Sequence, residues 1–360
     1  MSFQNLGIPV SASTVNVKAY NVVESTVPIP ASMFFTPVLP GHDYFPAPMF
    51  AFLIENTTTK QRVMFDLGPR KDLENVAPAV VHLFKMSGLS MPVERDIVEQ
   101  LVDTGVTLES ISAVIWSHSH FDHTSGDMSK FPASTELFFG QDTVRTTCDS
   151  DPTCTLLESD LAGRKLVPVN FADSSLEFGG LKAHDFFGDG SLYLLDVPGH
   201  APGHICALAR VTPSSFLFLG GDACHHPGLF RPTDKLHKHF PCPGELLAAT
   251  RRSVSATHFG PSNSGGEFDL AARTTPLLDV VGAGYTDPPT ARASIEKIGT
   301  FDANPDVFVV LAHDSSLMPV VEPFPAVMDD WKAKGWKSLV TWAFLDETNS
   351  AFRFNAKAAA

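Results

Sequence analysis

Short runs of alternating or continuous apolar residues dominate the first two thirds of the chain and predict β-strands. Polar turns separate many of these runs; Thr57 to Lys60, for example, turns the chain between two of them. The predicted strands are Val15 to Val23, Met49 to Asn56, Arg62 to Asp66, Ile111 to Trp116, Glu136 to Phe139, Leu181 to Phe186, Leu192 to Asp196, Ile205 to Val211, Phe216 to Leu219 and Val307 to Leu311.

Helical patterns become more frequent towards the end of the chain. Glu94 to Asp103 is amphipathic and stops at Gly105, and later helices are predicted over Gly244 to Ser255, Thr290 to Phe301 and Ala326 to Lys334. A first group of strands, followed by a second group interleaved with helices, predicts an α/β fold in which two sheets pack face to face with helices outside. We expect one domain over residues 1–360.

The segment Pro69 to Pro92 is an apolar, helical insert between strands, containing Val80, Val81, Phe84 and Met86. Its apolar face has no obvious core to enter. We therefore predict that the insert over residues 69–92 is a lid or a dimer contact.

Composition and charge narrow the class of protein. Hydrophobic residues make up 44% and charged residues 18%, which predicts a globular protein with a substantial core. The net charge of −14 disfavours nucleic acid as a partner. No apolar segment approaches the length of a membrane span, and the start shows no secretory signal. The five cysteines indicate reduced thiols in a cytoplasmic protein, although Cys148 and Cys154 could pair across a short loop.

The strongest local motif is His118-Ser119-His120-Phe121-Asp122-His123, at the end of a predicted buried strand. Residues two apart on an extended strand project to the same side, so His118 and His120 can bind one ion together. The following turn brings Asp122 and His123 towards a neighbouring position. Zinc accepts both imidazole nitrogen and carboxylate oxygen, so the motif predicts a metal site.

This hexapeptide resembles the H-x-H-x-D-H signature of the metallo-β-lactamase superfamily, and the resemblance extends over about Val15 to Ser315. His200 lies in a Pro-Gly-His turn after a strand, Asp222 ends Phe-Leu-Gly-Gly-Asp, and His313 follows the last predicted strand. Asp66 resembles the buried aspartate that orients ligands in this family. The resemblance implies an αβ/βα four-layer sandwich of two mixed sheets flanked by helices.

The resemblance also implies a ligand set for two metal ions, zinc first, with iron or manganese as alternatives. One ion is held by His118, His120 and His200, a second by Asp122, His123 and His313, and Asp222 bridges both. Two close cations lower the pKa of a shared water and give hydroxide at neutral pH. Asp122 is a catalytic candidate because it could relay the proton.

Within the superfamily, the motif around His118 is most similar to the N-acyl homoserine lactonases. Those enzymes usually carry a tyrosine three residues past the bridging aspartate, where this chain has His225 followed by His226. An imidazole there could donate a hydrogen bond to a developing oxyanion, so His225 is the second catalytic candidate, with a polar loop residue as the alternative. The segment His225 to Phe240 is predicted to line the entrance.

The expected reaction is opening of a small cyclic ester or amide: a lactone, a lactam or a cyclic carbamate. Thioester or phosphotriester hydrolysis at the same site, a mononuclear iron oxygenase and a binding protein that has lost activity are the alternatives. The partner is a small molecule, apolar or aromatic, because phenylalanines such as Phe34 and Phe45 fall in or beside predicted loops. A homodimer is possible.

Overall fold

The computed structural model describes residues 2–38, 43–87, 90–253 and 269–346. Two large mixed sheets dominate the described part, together with two small pairs of strands. The first sheet has seven strands, in the spatial order β17 (Ala326–Val327), β1 (Val15–Asn21), β5 (Phe50–Asn56), β6 (Arg62–Phe65), β7 (Ile111–Ile115), β8 (Glu136–Gly140) and β9 (Leu166–Val169). The strands from β6 to β9 run parallel to one another, whereas the pairs made by β1 with its neighbours are antiparallel.

The second sheet has six strands and is antiparallel except at one edge, where its last two strands run parallel. Its spatial order is β10 (Leu176–Phe178), β11 (Leu181–Asp185), β12 (Leu192–Asp196), β13 (Ile205–Thr212), β14 (Ser215–Leu219) and β16 (Val307–Val310). The small pairs are β2 (Val27–Pro30) with β4 (Tyr44–Ala47) and β3 (Phe35–Thr36) with β15 (Asp279–Val280).

Alternating side chains on each strand enter different cores. In β14, Leu217 and Leu219 pack in the core that joins the two sheets, whereas Phe216 and Phe218 pack on the opposite face. In β5, Phe52 enters the shared core and Leu53 the outer one. Because nearly every strand is apolar on both faces, the two sheets need helices outside them. The four-layer sandwich predicted from the sequence is confirmed.

The helices of the described residues are short, apart from one long helix against the second sheet. They are α1 (Pro78–Ser87), α2 (Ile97–Asp103), α3 (Phe121–Thr124), α4 (Glu158–Leu161), α5 (Asp234–His239), α6 (Gly244–Ser253), α7 (Pro288–Asp302), α8 (Met318–Val321) and α9 (Trp336–Val340). The predicted start of α2 at Glu94 was early, because Asp96 caps the helix by accepting a hydrogen bond from the Glu99 N–H. None of the helices described is both long and apolar enough to cross a bilayer.

The helix predicted over Ala326 to Lys334 is wrong. Ala326 and Val327 form β17, which pairs with Lys18 and Ala19 at the edge of the first sheet, and turns follow until α9 begins after Gly335. Pro323 and Pro325 precede this strand and favour extended backbone. The segment therefore pairs with the edge of the first sheet, although the spacing of its apolar residues is also compatible with a helix.

The insert over residues 69–92 contains α1 but does find apolar surface to pack against. Val76, Ala77 and Val80 are buried together, and the half-buried Phe84 ring meets the Phe121 ring edge-on, with centroids 5.4 Å apart. Leu83 and Met86 on the other face are 48% and 73% exposed. The expectation that the apolar face of the insert has no core to enter is therefore wrong for one side of α1. The role of the insert as a lid or dimer contact stays a prediction.

All five cysteines are free thiols in the structure. Cys148 and Cys154 do not form the disulfide that their spacing left open, and Cys206, Cys224 and Cys242 are buried.

Candidate metal centre

The predicted ligands follow strands of both sheets and converge at one edge of the sandwich. His118, His120, Asp122 and His123 follow β7 of the first sheet; His200, Asp222 and His313 follow β12, β14 and β16 of the second. All seven predicted ligands fall into two groups, in each of which the ligand atoms lie within 4.8 Å of one another. The groups are His118, His120, His200 and Asp222, and Asp122, His123, Asp222 and His313.

In the first group, three imidazole nitrogens face one another closely. The Nε2 of His200 lies 3.2 Å from Nε2 of His118 and 3.0 Å from Nδ1 of His120. Three nitrogens bound to one tetrahedral zinc at 2.0–2.1 Å would lie about 3.3 Å apart. The spacing therefore suits three ligands of one ion.

In the second group, one oxygen of Asp222 lies between two imidazoles. Its Oδ1 is 3.1 Å from His123 Nε2 and 3.0 Å from His313 Nε2, and Oδ2 of Asp122 is 3.5 Å from the same His313 nitrogen. The other oxygen of Asp222, Oδ2, is 3.5 Å from His200 Nε2 and 3.8 Å from His118 Nε2. One carboxylate thus reaches both groups.

Hydrogen bonds on the far side of four rings direct their lone pairs into the centre. The Nδ1–H of His200 donates to Gly284 O, that of His313 to Pro48 O, and that of His123 to Asp66 Oδ2, each at 2.8 Å. The Nδ1 of His118 is 3.0 Å from Ser117 Oγ. A neutral imidazole with its proton on Nδ1 presents bare Nε2, which is the metal-binding form.

Among the described residues, the buried Nε2 of His123 and Oδ1 of Asp222 have no partner at hydrogen-bond geometry, although these two atoms lie 3.1 Å apart. Buried polar atoms are almost always satisfied, so this pair indicates a site that suits a cation. Nitrogen lone pairs aimed at one another and at a carboxylate also repel unless a cation lies between them. The residues present therefore fit divalent metal ions.

The electrostatics of the histidines follow from burial and from the carboxylates. Burial lowers the pKa of His118 and His200 well below the ordinary histidine value and keeps both rings neutral. Burial also opposes charge on His123, but Asp222 and Asp66 outweigh it and raise the pKa of that ring well above the ordinary value. The same negative potential favours a bound cation.

His225 lies beside the centre, at the position that the sequence singled out. Its Nε2 is 3.1 Å from Asp222 Oδ2 and its Nδ1 is 3.1 Å from the hydroxyl of Tyr285. Phe34 stacks on the ring, with centroids 3.9 Å apart at an interplanar angle of 32°. His225 is therefore a buried member of the site's surroundings and not a solvated loop residue.

Two further histidines of the segment from His225 to Phe240, His226 and His237, have hydrogen-bond partners outside the two ligand groups. The Nδ1 of His226 accepts a hydrogen bond from Gly228 N–H, and His237 stacks on Trp342 while bonding to Arg273 O. Neither belongs to the two ligand groups found among the described residues. That the segment lines the entrance stays a prediction, and the contacts of His226 and His237 assign neither of them to the metal centre.

Three residues that support the centre had no assigned role in the sequence. His204, in the same Pro-Gly-His repeat as His200, accepts the backbone N–H of Asp222 at 3.1 Å, and burial lowers its pKa to about 3. Gly284 and Tyr285 come from the turn between β15 and α7. The repeated motif could have indicated His204, but no local pattern marks Gly284 or Tyr285.

Comparisons with known proteins agree with this geometry. Residues 46–128 match the model of the metallo-beta-lactamase superfamily. The chain is 38% identical over 353 residues to "Gamma-lactamase FDB1" of Fusarium pseudograminearum (strain CS3096), covering 94% of this chain and 83% of that protein. It is also 38% identical over 354 residues to "Metallo-hydrolase mfmC" of Annulohypoxylon moriforme, covering 95% and 89%.

Among solved structures, a quorum-quenching N-acyl homoserine lactone lactonase has the same fold. It superposes with a TM-score of 0.54 at 16% identity, over 88% of this chain and 99% of that one.

Proposed function

Because the chain belongs to the metallo-β-lactamase superfamily, we propose that it is a dinuclear metal hydrolase that opens a small cyclic amide or ester. The observation that carries the proposal is the pair of ligand groups that share Asp222. Zinc is the proposed metal, since three histidines with one carboxylate, and two histidines with two carboxylates, are donor sets that zinc accepts. Two such ions would acidify a bound water and polarise the bond to be cleaved.

A lactam or cyclic carbamate ranks with a lactone as the proposed substrate. A relative that is 38% identical over 94% of this chain is named a gamma-lactamase, which supports a cyclic amide as the substrate. The position three residues past Asp222 is His225, whereas the lactonases that the motif resembles usually carry a tyrosine there. The wall formed by Phe34 beside His225 supports an apolar or aromatic substrate.

The protein's own groups have distinct proposed tasks. Asp122, partly exposed at the mouth of the centre, is the proposed proton acceptor as the attacking water adds, and it returns the proton to the leaving nitrogen or oxygen. His225 faces the centre through Nε2, where an N–H could be shared with the oxygen of the reacting carbonyl. The buried His118 and His200 would position the polarising charge, and burial lowers the pKa of both rings so that they take up no proton themselves.

The test is a mass-spectrometric screen of zinc-loaded protein against lactams, cyclic carbamates, lactones and thioesters. We expect a gain of one water on a ring substrate, abolished by chelator, and about two zinc ions per chain. His120→Ala should lose zinc and turnover together, since it removes one ligand of the first group. His82→Ala, on the exposed face of α1, is the matched control.

Three results would overturn all or part of the proposal. Full turnover by His120→Ala would remove the first group from the mechanism. One tightly held iron per chain with oxygen consumption would instead indicate a mononuclear oxygenase. Turnover confined to thioesters or phosphotriesters would retain the metal centre and reject the cyclic substrate.

A further inference from the structure

The turn Gly282–Gly284 and the following Tyr285 lie between β15 and α7, far in sequence from the HxHxDH motif. This turn contacts the centre twice. Gly284 O accepts the Nδ1–H of His200 at 2.8 Å, and the hydroxyl of Tyr285 lies 3.1 Å from Nδ1 of His225. Tyr285 is buried, and its ring meets the rings of His200 and His225 edge-on.

The chemistry of the partners decides where the protons lie in this chain of contacts. An ionised carboxylate only accepts hydrogen bonds, so the 3.1 Å contact with Asp222 Oδ2 needs a proton on Nε2 of His225. The neutral ring then has a bare Nδ1, which accepts the O–H of Tyr285. Both hydrogen bonds are therefore donated in the same direction. The phenol O–H donates to Nδ1 of His225, and the Nε2–H of His225 donates to the Asp222 carboxylate that both ligand groups share.

We propose that Tyr285 is a positioning residue that fixes the tautomer and orientation of His225, and through it the orientation of Asp222. The inference rests on the proposed function in treating the two groups as metal sites. With its O–H on Nδ1, Tyr285 holds the ring proton on the nitrogen that faces the centre. Without the hydroxyl, the Nδ1–H tautomer competes, and Nε2 then presents a lone pair to Asp222 Oδ2.

Packing holds the His225 ring in the plane that this arrangement needs. Phe34 stacks on one face at 3.9 Å, and Tyr285 meets the ring edge-on with centroids 5.5 Å apart. Phe34 reaches this position because residue 284 is glycine: a Cβ there would lie 2.5 Å from Phe34 Cδ1. The turn therefore supports His225 in two ways: Tyr285 contacts the His225 ring, and Gly284 leaves the space that the Phe34 ring occupies.

The expected consequence of losing the Tyr285 hydroxyl is weaker metal binding in the first ligand group. Asp222 Oδ2, which His225 contacts, faces His118 and His200, whereas Oδ1 faces His123 and His313. Losing the hydroxyl of Tyr285 should therefore loosen the ion held with His118, His120 and His200 more than the ion held with His123 and His313.

Tyr285→Phe tests this because it removes one oxygen and keeps the ring. Tyr20→Phe is the matched control: Tyr20 is also buried, and its hydroxyl bonds to Thr104 in a core behind the first sheet. Zinc affinity is measured by chelator competition, and Co²⁺ substitution reports the coordination of each ion. We expect about tenfold weaker binding of one of two ions in Tyr285→Phe, the size typical of lost support behind a ligand.

A double-variant cycle shows whether Tyr285 acts through His225. His225→Ala should weaken the same ion, and adding Tyr285→Phe should change its affinity no further. On an identified substrate, Tyr285→Phe should lower kcat with little change in KM. Unchanged affinity of both ions relative to Tyr20→Phe, or additive effects in the double variant, would overturn the inference. Wild-type protein that binds no zinc would overturn the proposed function and this inference with it.

Discussion

Asp66 connects ligands of both candidate groups through a single buried side chain. Its carboxylate accepts the backbone N–H of Ser117 at 2.7 Å, the Ser117 hydroxyl at 2.8 Å and the Nδ1–H of His123 at 2.8 Å. Because the Ser117 hydroxyl is directed at Asp66, its oxygen is free to accept the Nδ1–H of His118. Asp66 adopts a φ of 59°, which is unusual for a non-glycine residue. With this backbone conformation its carboxylate lies beside Ser117 and His123.

A second buried carboxylate, Asp160, makes stability depend on pH. It lies in α4 and accepts the Leu157 N–H at 2.8 Å, and burial raises its pKa from 3.8 to about 6. Between these values the folded state binds more protons than the unfolded state. The stabilising contribution is therefore complete below pH 3.8 and is lost as the pH rises through about 6.

Asp160→Asn should be more stable than the wild type at pH 7.5, because the amide keeps an oxygen acceptor but never ionises. A displacement of about two pKa units corresponds to an upper limit of about 3 kcal/mol, and we expect about 1–2 kcal/mol. Urea unfolding at pH 7.5 and pH 5 measures the difference, which should shrink at the lower pH. A wild type that is as stable as the variant at pH 7.5 would contradict this prediction.

At the scale of elements, α1 shows how the insert approaches the centre. Phe84 contacts Phe121, which lies between the candidate ligands His120 and Asp122. Leu83, one residue away, is 48% exposed on the other side of the helix. This placement favours a lid over a dimer contact for the Phe84 side, and it leaves Leu83 and Met86 as the candidate dimer side.

Phe84→Ala should raise KM by up to about tenfold on an identified apolar substrate, since up to about 1–2 kcal/mol of apolar contact near the mouth is lost. Leu83→Ala in the same helix is the control and should leave KM unchanged. Light scattering on both variants reports the dimer side. Equal KM values for the two variants would reject the lid.

Strands with continuous apolar runs were predictable from the sequence, whereas strands that form only because a neighbouring strand is available were not. The apolar residues of β12 to β14 and of β16 alternate between two cores, so both faces leave a signature in the sequence. β17 is only two residues long and forms because it pairs with the edge strand β1. The sequence around Ala326 and Val327 contains no pattern that indicates this pairing. The pair β3 and β15 joins segments about 240 residues apart for the same kind of reason.

At the scale of the whole molecule, the candidate centre ties the two sheets together. Four predicted ligands follow a strand of the first sheet and three follow strands of the second, with Asp222 contacting ligands from both. Ions bound there would stabilise the packing of one sheet edge on the other. Metal binding to the folded state alone contributes about 2.7 kcal/mol per ion at one hundred times Kd.

Removing metal should therefore lower Tm by about 5–10 °C, measured by calorimetry before and after chelation and dialysis. Re-addition of zinc should restore the original value. His120→Ala serves as the comparison and should respond to chelator by a smaller amount, since it lacks a ligand of the first group. A wild-type Tm that is indifferent to chelator would argue against ions that bridge the sheets.

The sequence by itself determined what depends on neighbours along the chain. Short apolar runs, alternating or continuous, specified most strands, and residues two apart on an extended strand placed His118 and His120 on one side. The order of ligands after successive strands, together with the family resemblance, predicted the seven residues that the structure brings together.

The resemblance implied a supporting role for Asp66, but only the tertiary structure showed which contacts support the seven residues. The contacts of Asp66 with Ser117, of Gly284 with His200 and of Tyr285 with His225 join positions 51, 84 and 60 residues apart. Such contacts arise when separate loops meet at the edge of the packed sheets, and a single buried tyrosine or glycine carries no periodic signal in its own segment. The proton positions at the centre depend on these distant partners, and so only the folded chain fixes them.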